Sequence, residues 1–314
     1  MKRVIAAVCV CLLIPSVMLP GLADNRKKSV ICTVFPLYDW TRQVLGDRAG
    51  EFELIWLGGT KDLHSFQPSV GDIARISTCD LFIFVGGESD GWVNDVLKEA
   101  VNPGRIALHM LAALGGEAKE EEMEAEGHAH GEEEGIGYDE HLWLSLKNAQ
   151  ALCPVIAGAI AMLDPDGAKE YEANLSGYIV KLAALDAEYL AAAESASVRT
   201  LLFGDRFPFR YLLDDYGIAS YAAFEGCSAE TEASFETIVF LAQKMDEMAL
   251  RCVMVTESSD QAIARTIIGS TKGKDQRILV LDAMQSVTFE DVQGGATYLS
   301  VMESNLNALR EALQ

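Results

Sequence analysis

The chain has 314 residues, half of them apolar, and 47 acidic side chains against 25 basic ones, for a formal net charge of −22. Such an excess of carboxylates excludes DNA, RNA and anionic lipid as partners, because their phosphates would be repelled, while divalent cations are drawn to the surface. Beyond the N-terminus no stretch reaches about 18 uninterrupted apolar residues, the length a bilayer-spanning helix needs.

The first segment, MKRVIAAVCVCLLIPSVMLPGLAD, reads as a secretory signal peptide over residues 1–23, with Lys2 and Arg3 ahead of a short apolar run and small residues at Gly21 and Ala23. Its removal leaves 291 residues and takes two basic side chains and no acidic one, so −22 becomes −24. The mature protein is therefore expected on the periplasmic or extracellular face of the membrane.

Four β-branched or aromatic runs follow: SVICTVF, FELIWL, DLFIFVGG and RIALHM. After residue 198 come four more: RTLLFG, IASYAAF, RCVMVTE and QRILVLD. Each precedes a turn and an amphipathic stretch, which predicts two α/β lobes with mainly parallel sheets flanked by helices. The N-terminal lobe is assigned residues 24–163 and the C-terminal lobe residues 199–314. Between them, residues 164–198 carry Tyr171, Leu175, Tyr178, Leu182, Leu185 and Tyr189 at spacings of three or four. One long, rigid backbone helix is predicted there, with Asp164 as its cap and Pro165 in its first turn.

Within this frame His64 lies in the loop after the second run, and such loops at the C-terminal ends of parallel strands face a ligand crevice. Residues 117–140 form an acidic loop, Glu-rich and Gly-punctuated, that holds His128 and His130. Imidazoles among carboxylates, with few apolar residues, suit a loose collector of divalent cations better than a core element. His141 stands where that loop re-enters ordered sequence. In the second lobe Asp205, Glu257 and Asp282 each follow a predicted strand. Buried or crevice-facing carboxylates need a cation, a donor network or water, and with two histidines they predict a mixed N/O metal site in the cleft.

Cys32, Cys79, Cys153, Cys227 and Cys252 are irregularly spaced and contain no CxxC pair, so they read mainly as buried thiols; a Cys32–Cys79 bridge is the alternative. No HExxH, GxSxG, Walker or GxGxxG motif is present in a catalytic setting. Gly86 and Gly87 read as tight-turn glycines, since Glu88 and Asp90 beside them would repel a phosphate.

The runs CTVFPLYDWTRQVLGD, LHSFQPS, DLFIFVGGESDGWV, DEHLWLSLKNAQ, FRYLLDDYGI, GCSAETEAS and VLDAMQ occur in this order over nearly the whole mature chain. In these the sequence resembles the metal-binding class of solute-binding proteins of ABC importers, its zinc branch above all. The resemblance implies a metal in the inter-lobe cleft, delivered to a membrane permease and its ATPase by a monomeric, non-catalytic protein. It implies His64, His141 and Asp282 as ligands. At the third ligand position, where the family has His or Glu, this chain has Arg206, which has no lone pair to offer. Asp205 takes that place in the expected set, with Glu257 or water as substitutes. Zn²⁺ is the expected ion because the affinity order places it above Mn²⁺ at a mixed N/O site. Manganese or iron is the alternative cargo, and a secreted zinc hydrolase or a surface adhesin is the alternative function. Binding needs neutral imidazoles and should weaken below about pH 6.5, the ordinary histidine value.

Overall fold

A computed structural model describes residues 26–58, 63–120, 137–224 and 233–314. All eight predicted strands form, in two four-stranded, wholly parallel sheets. The first contains β1 (Lys28–Cys32), β2 (Phe52–Trp56), β3 (Leu81–Phe84) and β4 (Ile106–His109) in the order β2-β1-β3-β4. The second contains β5 (Thr200–Phe203), β6 (Ala219–Ala222), β7 (Cys252–Thr256) and β8 (Arg277–Leu281) in the order β6-β5-β7-β8. The central strands β3, β5 and β7 are buried along their whole length, whereas the edge strands β4, β6 and β8 are partly exposed. Continuous apolar runs such as LFIF and TLLF are what a strand covered on both faces requires.

The crossovers of the first lobe are α1 (Phe35–Leu45), α2 (Val70–Thr78) and α3 (Val93–Lys98), and the short α4 (Met110–Leu114) follows β4. Ser69 and Asp72 close a reciprocal capping box on α2. Next comes α5 (Leu146–Leu163), long and apolar enough by composition to cross a membrane; half of it is buried here, as a core helix. The long helix α6 runs from Ala168 to Glu194 and buries Tyr171, Tyr178, Leu182, Leu185 and Tyr189. At 27 residues it spans about 40 Å at 1.5 Å per residue. It starts later than predicted. Pro165–Gly167 form a 3₁₀ turn, and the Asp164 carboxylate accepts from Arg48 at 2.8 Å and from the Tyr171 hydroxyl at 2.5 Å and makes no cap bond.

The second lobe adds α7 (Arg210–Asp215), α8 (Phe235–Met248), α9 (Ala262–Ser270), α10 (Phe289–Gln293) and α11 (Tyr298–Ala312). The last of these packs on β8 and on α6, and returns to α1 of the first lobe. One hydrophobic core therefore runs through both lobes, from Val30 and Trp40 past Trp143 to Phe203, Tyr298 and Leu309. Buried hydrogen bonds fasten the seam. The Tyr298 hydroxyl donates to the Trp143 carbonyl at 2.7 Å, Trp143 Nε1 to the Ala283 carbonyl at 2.9 Å, and the Tyr298 amide to Asp39 Oδ2 at 3.0 Å.

Cys32, Cys79, Cys153 and Cys252 are buried free thiols, so the Cys32–Cys79 bridge does not form. Burial pushes both of those thiols up to about 12, far from the thiolate that disulfide exchange needs. Cys227, residues 1–23 and both His128 and His130 lie outside the described residues.

Candidate metal centre

The strand orders place a switch point between β1 and β3 in one lobe and between β5 and β7 in the other, and crevices open there beyond the carboxyl ends of the strands. His64 sits in the 3₁₀ turn Leu63–Ser65 after β2, and His141 just before the turn Leu142–Leu144. Their Nε2 atoms are 3.2 Å apart. With Zn–N bonds of 2.0–2.1 Å, two corners of a tetrahedron lie about 3.3–3.4 Å apart, so the pair is spaced for one zinc ion.

Each imidazole has a carboxylate behind it. Asp139 Oδ1 accepts from both the His141 backbone N–H and its Nδ1, each at 2.8 Å. The proton is thereby held on Nδ1, and the Nε2 lone pair points into the cleft. His64 Nδ1 lies 2.9 Å from Ser89 Oγ and 4.0 Å from Glu140 Oε2. That oxygen is buried with no hydrogen-bond partner, while Glu140 Oε1 accepts from the Ser89 N–H at 2.6 Å. The negative charge beside Nδ1 favours the proton there and leaves Nε2 of His64 as a second lone pair. Glu140 can lie so close only because residue 87 is glycine: its φ is +85°, and a Cβ would meet the Glu140 carboxyl at 2.5–2.8 Å.

From the second lobe Gln285 reaches the imidazoles. Its Nε2 is 2.7 Å from His141 Nε2 and 3.3 Å from His64 Nε2. Because Asp139 makes His141 Nε2 an acceptor, the amide nitrogen is the atom that faces it. The loop bearing Gln285 is drawn around Glu257. Oε2 of Glu257 accepts from the Ala283 N–H at 2.8 Å, and Oε1 accepts from the Gln285 and Ser286 N–H groups at 3.0 and 3.2 Å. Met284 is held at φ +59° within this turn, its N–H donating to Asp282 Oδ1 at 2.7 Å. Burial and then the Glu257 charge raise the Asp282 carboxyl to about 7.

The expected set of two histidines with Asp205 and Asp282 does not converge. Among the described residues no group of three or more His, Cys, Asp or Glu side chains is placed to hold an ion. Asp205 Oδ2 accepts from the Thr256 N–H and hydroxyl at 3.1 and 2.7 Å, and Oδ1 from the Arg206 N–H at 2.8 Å, so it ties the end of β5 to β7. Glu257 serves the loop and Asp282 its own turn. Donors of the neighbouring turns engage the carboxylates that strand-end position predicted as ligands, several on Asp205 and Glu257 and the Met284 N–H on Asp282. Asp139, Glu140, Ser89 and Gln285 were not singled out from sequence. Asp139 alone carried a signal, two residues before a histidine already chosen.

Both feet of the acidic segment are described and lie beside the site. Glu120 bridges Tyr138, the Asp139 N–H donates to the Lys119 carbonyl at 2.9 Å, and Tyr211 Oη accepts from the Lys119 N–H and donates to the Asp139 carbonyl.

Comparison with known proteins gives a consistent result. The family model described as zinc-uptake complex component A, periplasmic (ZnuA), matches residues 30–312. The zinc-binding lipoprotein AdcA of Streptococcus pneumoniae serotype 4 is 31% identical over 293 residues, 91% of this chain and 56% of that protein. This chain thus spans little more than half the length of the streptococcal relatives. The high-affinity zinc uptake system protein ZnuA of Bacillus subtilis is 30% identical over 295 residues, 93% of this chain and 90% of that one. The crystal structure of the Zn(II)-bound ZnuA-like domain of S. pneumoniae AdcA superposes with a TM-score of 0.71 at 27% identity, covering 91% of this chain and 99% of that domain.

Proposed function

The chain belongs to the family of periplasmic zinc-uptake complex component A proteins, and from that premise we propose that it is an extracytoplasmic solute-binding protein that captures Zn²⁺ and hands it to an ABC importer. The observation that carries this reading is the His64–His141 pair, Nε2 to Nε2 at 3.2 Å, with a carboxylate behind each ring. Two converging imidazole nitrogens suit zinc better than manganese, which prefers oxygen ligands. The names of the relatives, which refer to zinc binding and zinc uptake, support the same cargo and give no support to hydrolase chemistry.

His64 and His141 are the proposed ligands, with water available for the remaining positions. Glu257, Asp205 and Asp282 are assigned to hold the loops around them. His128 and His130 are proposed as an auxiliary collector upstream of the cleft. A monomer docking on the permease that its ATPase drives completes the cycle. Because a continuous core and buried hydrogen bonds join the lobes, release is assigned to local movement of the His64 and Gln285 loops and not to wide opening of the lobes.

The test is a competitive calorimetric titration of the chelator-stripped chain with Zn²⁺ and Mn²⁺. One tight zinc site per chain, lost in His64→Ala, supports the proposal. Equal or tighter Mn²⁺ binding moves the cargo to manganese, and no tight site removes the capture role.

A further inference from the structure

Gln285 presents a conflict that the capture role must resolve. Its amide nitrogen lies within hydrogen-bond distance of both Nε2 atoms, at 2.7 and 3.3 Å. A lone pair can accept an N–H or bind an ion, but not both, so the ion must displace the amide. Two nitrogen lone pairs aimed at each other across 3.2 Å would also repel without a positive group between them. The amide N–H groups supply it.

Beside this seat lies a cavity of about 20 Å³ lined by Thr33, Trp56, Phe66, Trp143, Met284 and Gln285 itself. That volume admits one water-sized group. Two of its lining side chains carry orphaned polar atoms: Trp56 Nε1 and Thr33 Oγ1 are buried and have no hydrogen-bond partner. Such groups are rare in a folded protein and call for an explanation. One is a donor and the other can accept, and a carboxamide offers one acceptor and two donor hydrogens.

We propose that Gln285 is a two-seat place-holder. In the first seat its N–H groups hold the two imidazoles at zinc spacing, with their lone pairs turned inward. When the ion takes those lone pairs the amide turns to the second seat, where Oε1, the one atom that volume admits, accepts from Trp56 Nε1–H. A hydrogen bond lost at the histidines is thereby replaced at the cavity, which offsets part of the cost of displacing the amide. The inference rests on the reading of His64 and His141 as zinc ligands, and its test has an arm that does not need zinc.

That arm is ¹⁵N NMR of the imidazoles in the chelator-stripped full chain. Wild type should show both rings protonated on Nδ1 with hydrogen-bonded Nε2 atoms, and Gln285→Ala should move both Nε2 signals toward the free lone pair. Unmoved signals overturn the first seat. The second arm is tryptophan emission during titration with ZnCl₂, alongside calorimetry. Wild type should show a saturating change that Trp56→Phe lacks. Gln285→Ala should also lack it while still binding zinc within about tenfold of wild type, a range set by loss of an outer contact and not of a ligand. A Trp56-dependent change of full size in Gln285→Ala, or none in wild type, overturns the second seat. His64→Ala separates the two readings: if it binds zinc like wild type, the zinc site itself falls, and the NMR arm alone then judges the place-holder.

Discussion

Nε2 of His64 and Nε2 of His141 meet at 3.2 Å although 77 residues separate them in the chain. One ring arrives on the loop after β2, the other from the end of the acidic segment, and the carboxylates of Asp139 and Glu140 keep both turned the same way.

Asp139→Ala should weaken zinc binding by about 10- to 100-fold, the usual cost of losing the carboxylate behind a histidine ligand. The ring of His141 loses its partner on Nδ1 and is free to take the other tautomer. Competition against a chromogenic chelator measures the change, and an unaltered Kd would refute the orienting role.

Glu257→Ala removes the acceptor for three backbone N–H groups of residues 283–286. Hydrogen bonds to a charged group contribute about 1.5–3 kcal/mol each, partly offset by water in this half-buried turn. A loss of about 2 kcal/mol in unfolding free energy is expected, together with weaker zinc binding. Urea melts read the first effect and calorimetry the second.

Tyr298→Phe deletes a buried bond from the hydroxyl to the Trp143 carbonyl at 2.7 Å and leaves that carbonyl without its donor. The expected cost is about 1–3 kcal/mol. Because one core runs through both lobes, thermal unfolding should remain a single transition; two separate transitions would show that the lobes are independent.

Asp90 sets a pH dependence of stability. Its carboxyl is 3% exposed, and burial, reinforced by the Glu140 charge against a bond from the Gly86 N–H, raises it to about 7. The folded chain then keeps a proton that the unfolded chain releases near pH 3.9. The resulting contribution is whole below about pH 4 and is lost as pH rises through about 7. Asp90→Asn keeps an oxygen for Gly86 and removes the ionisation. Relative to wild type it should gain about 1–2 kcal/mol between pH 4 and pH 8, a discounted fraction of about 1.4 kcal/mol per pKa unit. Urea melts of both proteins across that range test the sign, and a gain on acidification would refute it.

Eight strands and the long helix were legible in the sequence, because hydrophobic periodicity is a local property. His64 and His141 were legible for a related reason: their loops follow or precede elements whose direction is known, so their side of the sheet is known. The partners of the strand-end carboxylates were not. Whether Asp205, Glu257 and Asp282 meet an ion or a backbone N–H depends on how each turn closes, and here donors from Thr256, Ala283, Met284 and Gln285 claimed them. Composition and pattern by themselves determined an acidic, two-lobed α/β chain with two crevice histidines. Only the tertiary structure decided that Gln285, 221 residues from His64, stands between those rings. Hydrogen-bond geometry between distant loops depends on packing across the whole core, and no local pattern in the sequence encodes it.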